Sequence, residues 1–307
     1  MDKVAILFNP SSGRGLSLRK KDDIKDWLKN NSISFNWYNS KSELHLRRLA
    51  REKAGSFQVI MVVGGDTSFQ IVASEIFKSH YNPALCMVPT GSANDIALSL
   101  GFKSIKCILE SIKDLKTRMM DIGLLEIKGI PEKIYFVGSV SLGLGVSINK
   151  FVSRYWKRHA FQAKLGKLFQ IMAGFLGAKD SFKQKKIPFR VRLSSETFDH
   201  DLKFSIIVFS NVPSYAGGLK ICPKTSPFDG KINVCNINTT SLANTTQLAY
   251  SVWRQKHHKK SEVQFFGGKS FVVFSENPIN LQYDGKVISG VREFRISVLP
   301  SAIKVLV

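Results

Sequence analysis

Three short stretches of the chain carry residues suited to holding phosphate: "FNPSSGRG" (8–15), "VVGGDTS" (62–68) and "VPTGSANDIA" (88–97). Each follows an apolar run, so each is read as the loop leaving a buried strand. Gly13, Gly15, Gly64, Gly65 and Gly91 allow backbone N–H groups to approach phosphate oxygens closely. Ser11, Ser12, Thr67, Ser68 and Ser92 add hydroxyl donors, and Asn94 or Asp95 is positioned to cap the helix that follows. One such loop alone is more often a plain strand-to-helix turn. Three in one register along a sheet edge favour phosphate binding, and the chemistry expected there is phosphoryl transfer. That reaction needs charge neutralisation and in-line positioning rather than covalent catalysis.

The elements that must position these loops are legible in the hydrophobic pattern. "VAILF" (4–8), "ISFNWY" (33–38), "VIMVV" (59–63) and "ALCMV" (84–88) read as strands. Between them, 18–30, 43–54 and 69–77 have helical spacing. Alternation of this kind predicts an α/β domain with a Rossmann-like parallel sheet over residues 1–122, its loops gathered at the carboxyl edge of the strands. From about Lys133 the rhythm becomes strand after strand, which predicts an all-β, antiparallel β-sandwich domain over 123–307. One helical insertion is expected at about 151–178.

Composition narrows the partners. Lys and Arg total 45 against 23 Asp and Glu, a net charge of +22. Such a field favours an anionic partner: nucleic acid, an acidic membrane face or a phosphorylated small molecule. The four cysteines are scattered without a CxxC pair, so reduced thiols in a cytoplasmic setting are the expectation, with no zinc site or disulfide framework. The N-terminal apolar run is too short for a signal peptide. The most apolar helical stretch, 168–178, is about half the length needed to cross a bilayer.

Residues 150–190 interleave Arg154, Lys157, Arg158, Lys164 and Lys167 with Tyr155, Trp156, Phe161 and Phe169. That pattern suits an anionic membrane surface, or else a helix packing its aromatic stripe on the sandwich. A second basic cluster, "WRQKHHKKSE" (253–262), reads as a solvated loop; His257 and His258 are adjacent and point different ways in regular structure, so they are not expected to share a metal. A nucleic-acid role is not expected, because it would leave the glycine loops unexplained.

Taken together, the motifs resemble the diacylglycerol kinase catalytic family, the bacterial lipid kinases related to diacylglycerol and sphingoid-base kinases. "NPSSGRG" is similar to the family's NP-x-SG loop, "GGDTS" to its GGDGT loop and "PTGSANDIALSLG" to its P-x-GT-x-ND-x-A segment. "MDIGLLEI" (120–127), "CPKTSPFDGKINV" (222–234) and "YDGKVI" (283–288) extend the likeness across the chain.

The resemblance implies a peripherally membrane-associated enzyme that uses ATP and Mg²⁺ to phosphorylate a lipid substrate at an anionic membrane surface, with the site in the cleft between the domains. It implies that Asn9, Ser11, Ser12 and Gly13 hold nucleotide, that Gly64, Gly65, Asp66, Thr67 and Ser68 cradle its phosphates with Ser92 assisting, and, on a weaker alignment, that Ser40 corresponds to a nucleotide-contacting Thr. Asp66 and Asp121 would organise Mg²⁺ and the reacting hydroxyl. Asp229, with backbone carbonyls near Ser226 and Lys231, would form a structural Mg²⁺ site.

The likeness has departures. Thr67 stands where the family has Gly, and would be strained were its φ positive. Lys286 follows Asp284-Gly285 where the family has Glu, its proposed proton acceptor; Lys286 is expected to pair with a phosphate or with Asp66. Gly138 replaces an Asn and Gly145 an acidic residue. Three accounts follow: an active lipid kinase with Asp66 or Asp121 as base, a kinase for an unusual acceptor, or a relative that binds nucleotide or lipid without turnover. A NAD-kinase-like activity is less favoured. The acceptor and the oligomeric state, a homodimer included, are left open.

Overall fold

Fully apolar runs such as Val4–Phe8 and Val59–Gly64 lack the polar face an edge strand needs, so they are covered on both sides. A computed structural model describes residues 3–102, 104–147 and 189–307. There β1 (Val4–Phe8), β2 (Phe35–Asn39), β3 (Val59–Gly64) and β4 (Ala84–Pro89) form the parallel sheet in the order β4-β3-β1-β2. Helices α1 (Leu16–Arg19), α2 (Lys21–Asn30), α3 (Glu43–Lys53), α4 (Asp66–Ser79), α5 (Asp95–Ser99) and α6 (Ile105–Asp114) connect and flank it. The helix expected over 18–30 is interrupted at Lys20, and α4 begins three residues earlier than its apolar spacing suggests, directly at Asp66.

The remaining strands are antiparallel: β5 (Thr117–Ile127), β6 (Ile130–Phe136), β7 (Ser139–Gly143), β8 (Phe189–Ser194), β9 (Asp199–Phe204), β10 (Ile206–Ser210), the short pair β11 (Ser214–Tyr215) and β12 (Leu219–Lys220), β13 (Ile232–Ile237), β14 (Val263–Gly268), β15 (Ser270–Tyr283) and β16 (Lys286–Leu306). A helix not legible in the sequence, α7 (Leu242–Trp253), lies between β13 and β14. Its Asn-, Thr- and Ser-rich stretch has weak helical propensity, and it is started by the Ser241 side chain accepting the Asn244 N–H. The expected helical insertion at about 151–178 and the basic-aromatic stretch around it lie outside the described residues.

The two parts share one sheet rather than meeting as separate blocks. β16 pairs with β15 and β5 along most of its length, then bends at Pro300 and Ser301, and Val305 pairs in parallel with Leu85 of β4. Its end buries Ile303, Val305 and Leu306 in the core of the parallel sheet, alongside Val137 and Val212. A division at 122/123 therefore cuts through β5, and the last turn of the chain returns to the first part.

Asp121 secures this crossing. Its carboxylate is 2% exposed and accepts the Gly230 N–H at 2.7 Å and the Ser301 N–H at 2.8 Å. Its backbone N–H donates to Pro227 O at 2.8 Å and its carbonyl accepts from Asn211 Nδ2 at 3.0 Å. Asp121→Ala removes the buried acceptor of both amides, so it is expected to lower unfolding free energy by about 2 kcal/mol. Urea unfolding checks this; a loss below about 0.5 kcal/mol means the amides find other acceptors.

Candidate functional site

The carboxyl edge of β1, β3 and β4 brings the three loops into contact. Thr90 Oγ1 donates to Ser12 Oγ at 2.8 Å, and Asn9 Nδ2 donates to Ser68 Oγ at 3.1 Å. Gly65 and Gly91 pack backbone on backbone: a Cβ at Gly91 would lie 2.7 Å from Gly65 Cα. Gly13 has φ +58, and a Cβ there would meet Thr90 O at 1.9 Å. Only glycine fits either place. The result is a shallow edge of small residues with the N-terminus of α4 opening onto it, a setting in which first-turn amides have no intrahelical acceptor. Ser11 and Ser92 are exposed on it. Ser40 is buried beside it, its hydroxyl spent on Phe8 O at 3.1 Å.

Lys20 was not singled out by sequence reasoning and belongs to this edge. Its Nζ donates to Pro89 O at 3.0 Å, and partial burial lowers its pKa. Its position in the interruption between α1 and α2 was the only signal, and that is not visible in a helical pattern.

Carboxylates bind the loops to one another. Asp66 Oδ2 accepts the Asp95 N–H at 3.1 Å, and Oδ1 accepts the Ile96 N–H at 3.0 Å. Asp66, from the preceding loop, is thus the side-chain cap of α5. This corrects the expectation for Asn94 and Asp95. Asn94 has φ 57 and turns its amide onto Gly91, accepting Gly91 N–H and donating to Gly91 O, both at 2.9 Å. Asp95 faces the other way and accepts the Gly217 N–H at 3.0 Å and the Gly218 N–H at 2.7 Å. Asp95 therefore holds the loop after β11 against the phosphate-type loops.

Burial lifts the Asp66 carboxyl to about 6, opposed by the Ile96 N–H and reinforced by the charges of Asp95 and Asp284. Asp95 is also raised by burial. Asp284, at the β15–β16 turn, is pushed up to about 6 by burial although it accepts N–H groups from Val137 (2.7 Å), Gly138 (2.9 Å) and Ser139 (2.9 Å). Three carboxylates whose environments resist ionisation, beside glycine loops, make this edge the candidate functional site.

The departures from the family pattern acquire physical reasons. Thr67 lies in the first turn of α4 with a helical backbone, so the expected strain is absent. Lys286 does not reach Asp66. Its Nζ is 2.6 Å from Glu43 Oε2 on α3, which corrects the expected pairing, although its charge holds Asp284 down somewhat. A Cβ at Gly138 would lie 2.7 Å from Asp284 Oδ1, so an Asn there is incompatible with the amide nest around Asp284. A Cβ at Gly145 would lie 2.5 Å from the Tyr215 hydroxyl, which donates to Ser141 Oγ.

Two expected groups fall outside this cluster. Asp121 is committed to the crossing described above. Asp229 Oδ2 accepts the Ser226 N–H at 3.3 Å and Oδ1 accepts the Lys231 N–H at 3.1 Å. These contacts close a turn over 226–231 and leave each Asp229 oxygen a further lone pair for a cation. No group of three or more His, Cys, Asp or Glu among the described residues could hold a metal ion. His257, expected in a solvated loop, is fully buried, its Nε2 2.9 Å from Ile221 O. Among the described residues no helix is long and apolar enough to cross a membrane.

Comparison with known proteins agrees with this geometry. Residues 3–125 match the diacylglycerol kinase catalytic domain, and residues 138–307 match the YegS C-terminal NAD kinase beta sandwich-like domain. The chain belongs to the diacylglycerol kinase family of proteins built from these two parts. It is similar to a Bacillus subtilis (strain 168) protein, YtlR, provisionally named a lipid kinase: 24% identity over 97% of both chains. It is also similar to a diacylglycerol kinase of Mycobacterium tuberculosis (strain H37Rv), at 26% identity over 99% of this chain and 94% of the other. A Bacillus anthracis (strain Sterne) crystal structure, provisionally named a diacylglycerol kinase, superposes with a TM-score of 0.78 over 99% of this chain and 95% of the other. At 18% identity that likeness establishes the fold.

A raised carboxyl makes stability depend on pH. Folded Asp66 titrates near 6 against an ordinary 3.8, so the folded protein holds a proton that the unfolded chain has released. Wild-type stability therefore falls relative to Asp66→Asn as pH rises from about 4 to about 6. Melting temperatures of both proteins across that range check the sign; a constant difference between them would contradict it.

Proposed function

We propose that this protein is a lipid kinase, transferring the γ-phosphoryl group of ATP to a hydroxyl of a membrane lipid such as diacylglycerol or a sphingoid base. The observation that carries the reading is Asp66. It stands in the first turn of α4 at the glycine-lined edge, half-buried, with its carboxyl lifted to about 6. Family membership supports the reaction class.

Gly13, Gly65 and Gly91 let the three loops pack against one another, and a triphosphate would lie along their backbone amides. A divalent cation such as Mg²⁺ would enter with the nucleotide and neutralise phosphate charge, leaving the Asp66 carboxylate to act as base. The acceptor hydroxyl enters from the side of Tyr215 and the Gly217-Gly218 loop, which Asp95 holds in place. As the hydroxyl oxygen bonds to phosphorus, the bond to the ADP oxygen breaks and the hydroxyl proton passes to the Asp66 carboxylate. A carboxyl near 6 is mostly ionised at neutral pH yet basic enough to take that proton. The enzyme acts in the cytoplasm at the membrane surface, where its substrate lies.

A second reading has one observation in its favour. Lys286, in place of the family's acid, is tied to Glu43, so the chain lacks that proton acceptor and would bind nucleotide without turnover.

Transfer of labelled γ-phosphate from Mg·ATP to diacylglycerol, sphingosine, ceramide and phosphatidylglycerol in mixed micelles separates the two. The kinase reading expects one labelled lipid, at least about a hundredfold less of it with Asp66→Asn, and kcat/KM rising with pH through about 6. No labelled lipid, with ATP still raising the melting temperature, supports the second reading. Equal rates for Asp66→Asn remove Asp66 from the chemistry.

A further inference from the structure

Helix α7 buries Leu248, Ser251 and Val252 against the outer face of β10 and β13. Its opposite face carries Tyr250, 60% exposed, and Trp253, 64% exposed. The two are three residues apart, hence neighbours on the helix surface, with ring centroids 5.9 Å apart. Exposed Tyr and Trp side by side are costly in water and unexplained by the core.

The chain then turns and presents Arg254, Lys256, His258, Lys259 and Lys260, all exposed. This turn is built, not loose. Gln255 takes φ 56, Lys256 N–H donates to Ser251 O at 2.8 Å, and His257 is driven inward onto Ile221 O and the Phe265 ring. With His257 buried as the pin, its cationic neighbours are held outward next to the aromatic pair. No Asp or Glu occurs from Leu242 to Ser261.

We infer that this surface, the end of α7 and the turn after it, docks on an anionic lipid bilayer, with Tyr250 and Trp253 at headgroup depth and Arg254, Lys256, Lys259 and Lys260 against lipid phosphates. The amphipathic rings of Tyr and Trp favour the membrane–water boundary, and clustered cations are attracted to acidic headgroups. A folded protein partner would more commonly meet this apolar pair with a mixed-charge rim, which the run from Leu242 to Ser261 does not offer. The surface is wired to the cleft. His257 holds Ile221, the residue after β12, and the β11–β12 turn presents Gly217 and Gly218 to Asp95. Docking thus seats the acceptor-side loop at the bilayer.

Co-sedimentation with phosphatidylglycerol/phosphatidylcholine vesicles, against pure phosphatidylcholine, tests this without reference to catalysis. Two surface variants are compared with wild type: Tyr250→Ala/Trp253→Ala and Lys256→Glu/Lys259→Glu/Lys260→Glu. Each near-surface cation contributes about fivefold in partition, so charge reversal is expected to weaken binding at least tenfold and to remove most of its salt dependence. The aromatic variant is expected to lose about tenfold on the same vesicles. Unchanged melting temperatures establish that the variants fold. Vesicle binding unaltered in both folded variants overturns the inference. So does wild-type preference for a single-stranded oligonucleotide over the anionic vesicles when that preference is lost in the lysine variant, which would make the patch a nucleic-acid surface.

Discussion

The arrangement of this protein depends on aspartate carboxylates accepting backbone N–H groups from a different segment of the chain. Asp66 takes the amides that open α5, and Asp95, the first residue of α5, takes the amides of Gly217 and Gly218. Two successive clamps thereby run from the loop after β3, through the loop after β4, to the Gly217-Gly218 loop of the antiparallel part. Asp284 and Asp121 make the same kind of bond elsewhere, joining the β15–β16 turn to β7 and the end of β16 to the 225–231 turn. A carboxylate accepting amides is a charge-assisted bond in a partly dry setting. Removing the carboxylate leaves these backbone donors without their acceptor, so the joints are hard to replace.

The same bonds explain why the site departs from its family's sequence pattern without losing its shape. The Asp284 nest excludes a side chain at Gly138, and Tyr215 excludes one at Gly145. Thr67 is tolerated because α4 already begins at Asp66. Lys286 answers Glu43 on α3, a helix that is itself held to α4 by Arg47 and Arg51 on the buried Glu75. Its charge is thus part of a structural ion-pair group and shields Asp284 only at a distance. Asp66 costs folding stability through a carboxyl that resists ionisation, the feature on which the proposed base role rests.

Much of this was legible in the residues. Apolar runs gave three of the four parallel strands and the aromatic stretch at 33–38 the fourth, and the glycine-serine loops after the three apolar ones lie together as their positions along one edge require. The division into an α/β part and an antiparallel part was also readable, but not the way β16 crosses it. A long strand with a Pro-Ser bend looks the same whether it stays in one sheet or joins two. Helices α6 and α7 escaped notice, the latter because its Thr and Asn residues weaken propensity and only tertiary contacts at Leu248 and Val252 decide the matter. The roles of Asp66 as a cap, Asp121 as a joint and Asp229 as a turn residue depend on contacts far apart in sequence. Residue type alone marks all three as acids and cannot distinguish them. His257 misled for the same reason, since a basic run conceals one buried member.

The central physical claim is that Asp95 couples the glycine-loop edge to the Gly217-Gly218 loop. Amide hydrogen exchange at Gly217 and Gly218, with and without a non-hydrolysable ATP analogue, tests it most directly. The account predicts slow exchange at both amides in the wild type, slower still with the analogue, and fast exchange insensitive to the analogue in Asp95→Ala. Equally fast exchange in all three cases would mean that the two loops move independently, and the coupling described here would be contradicted.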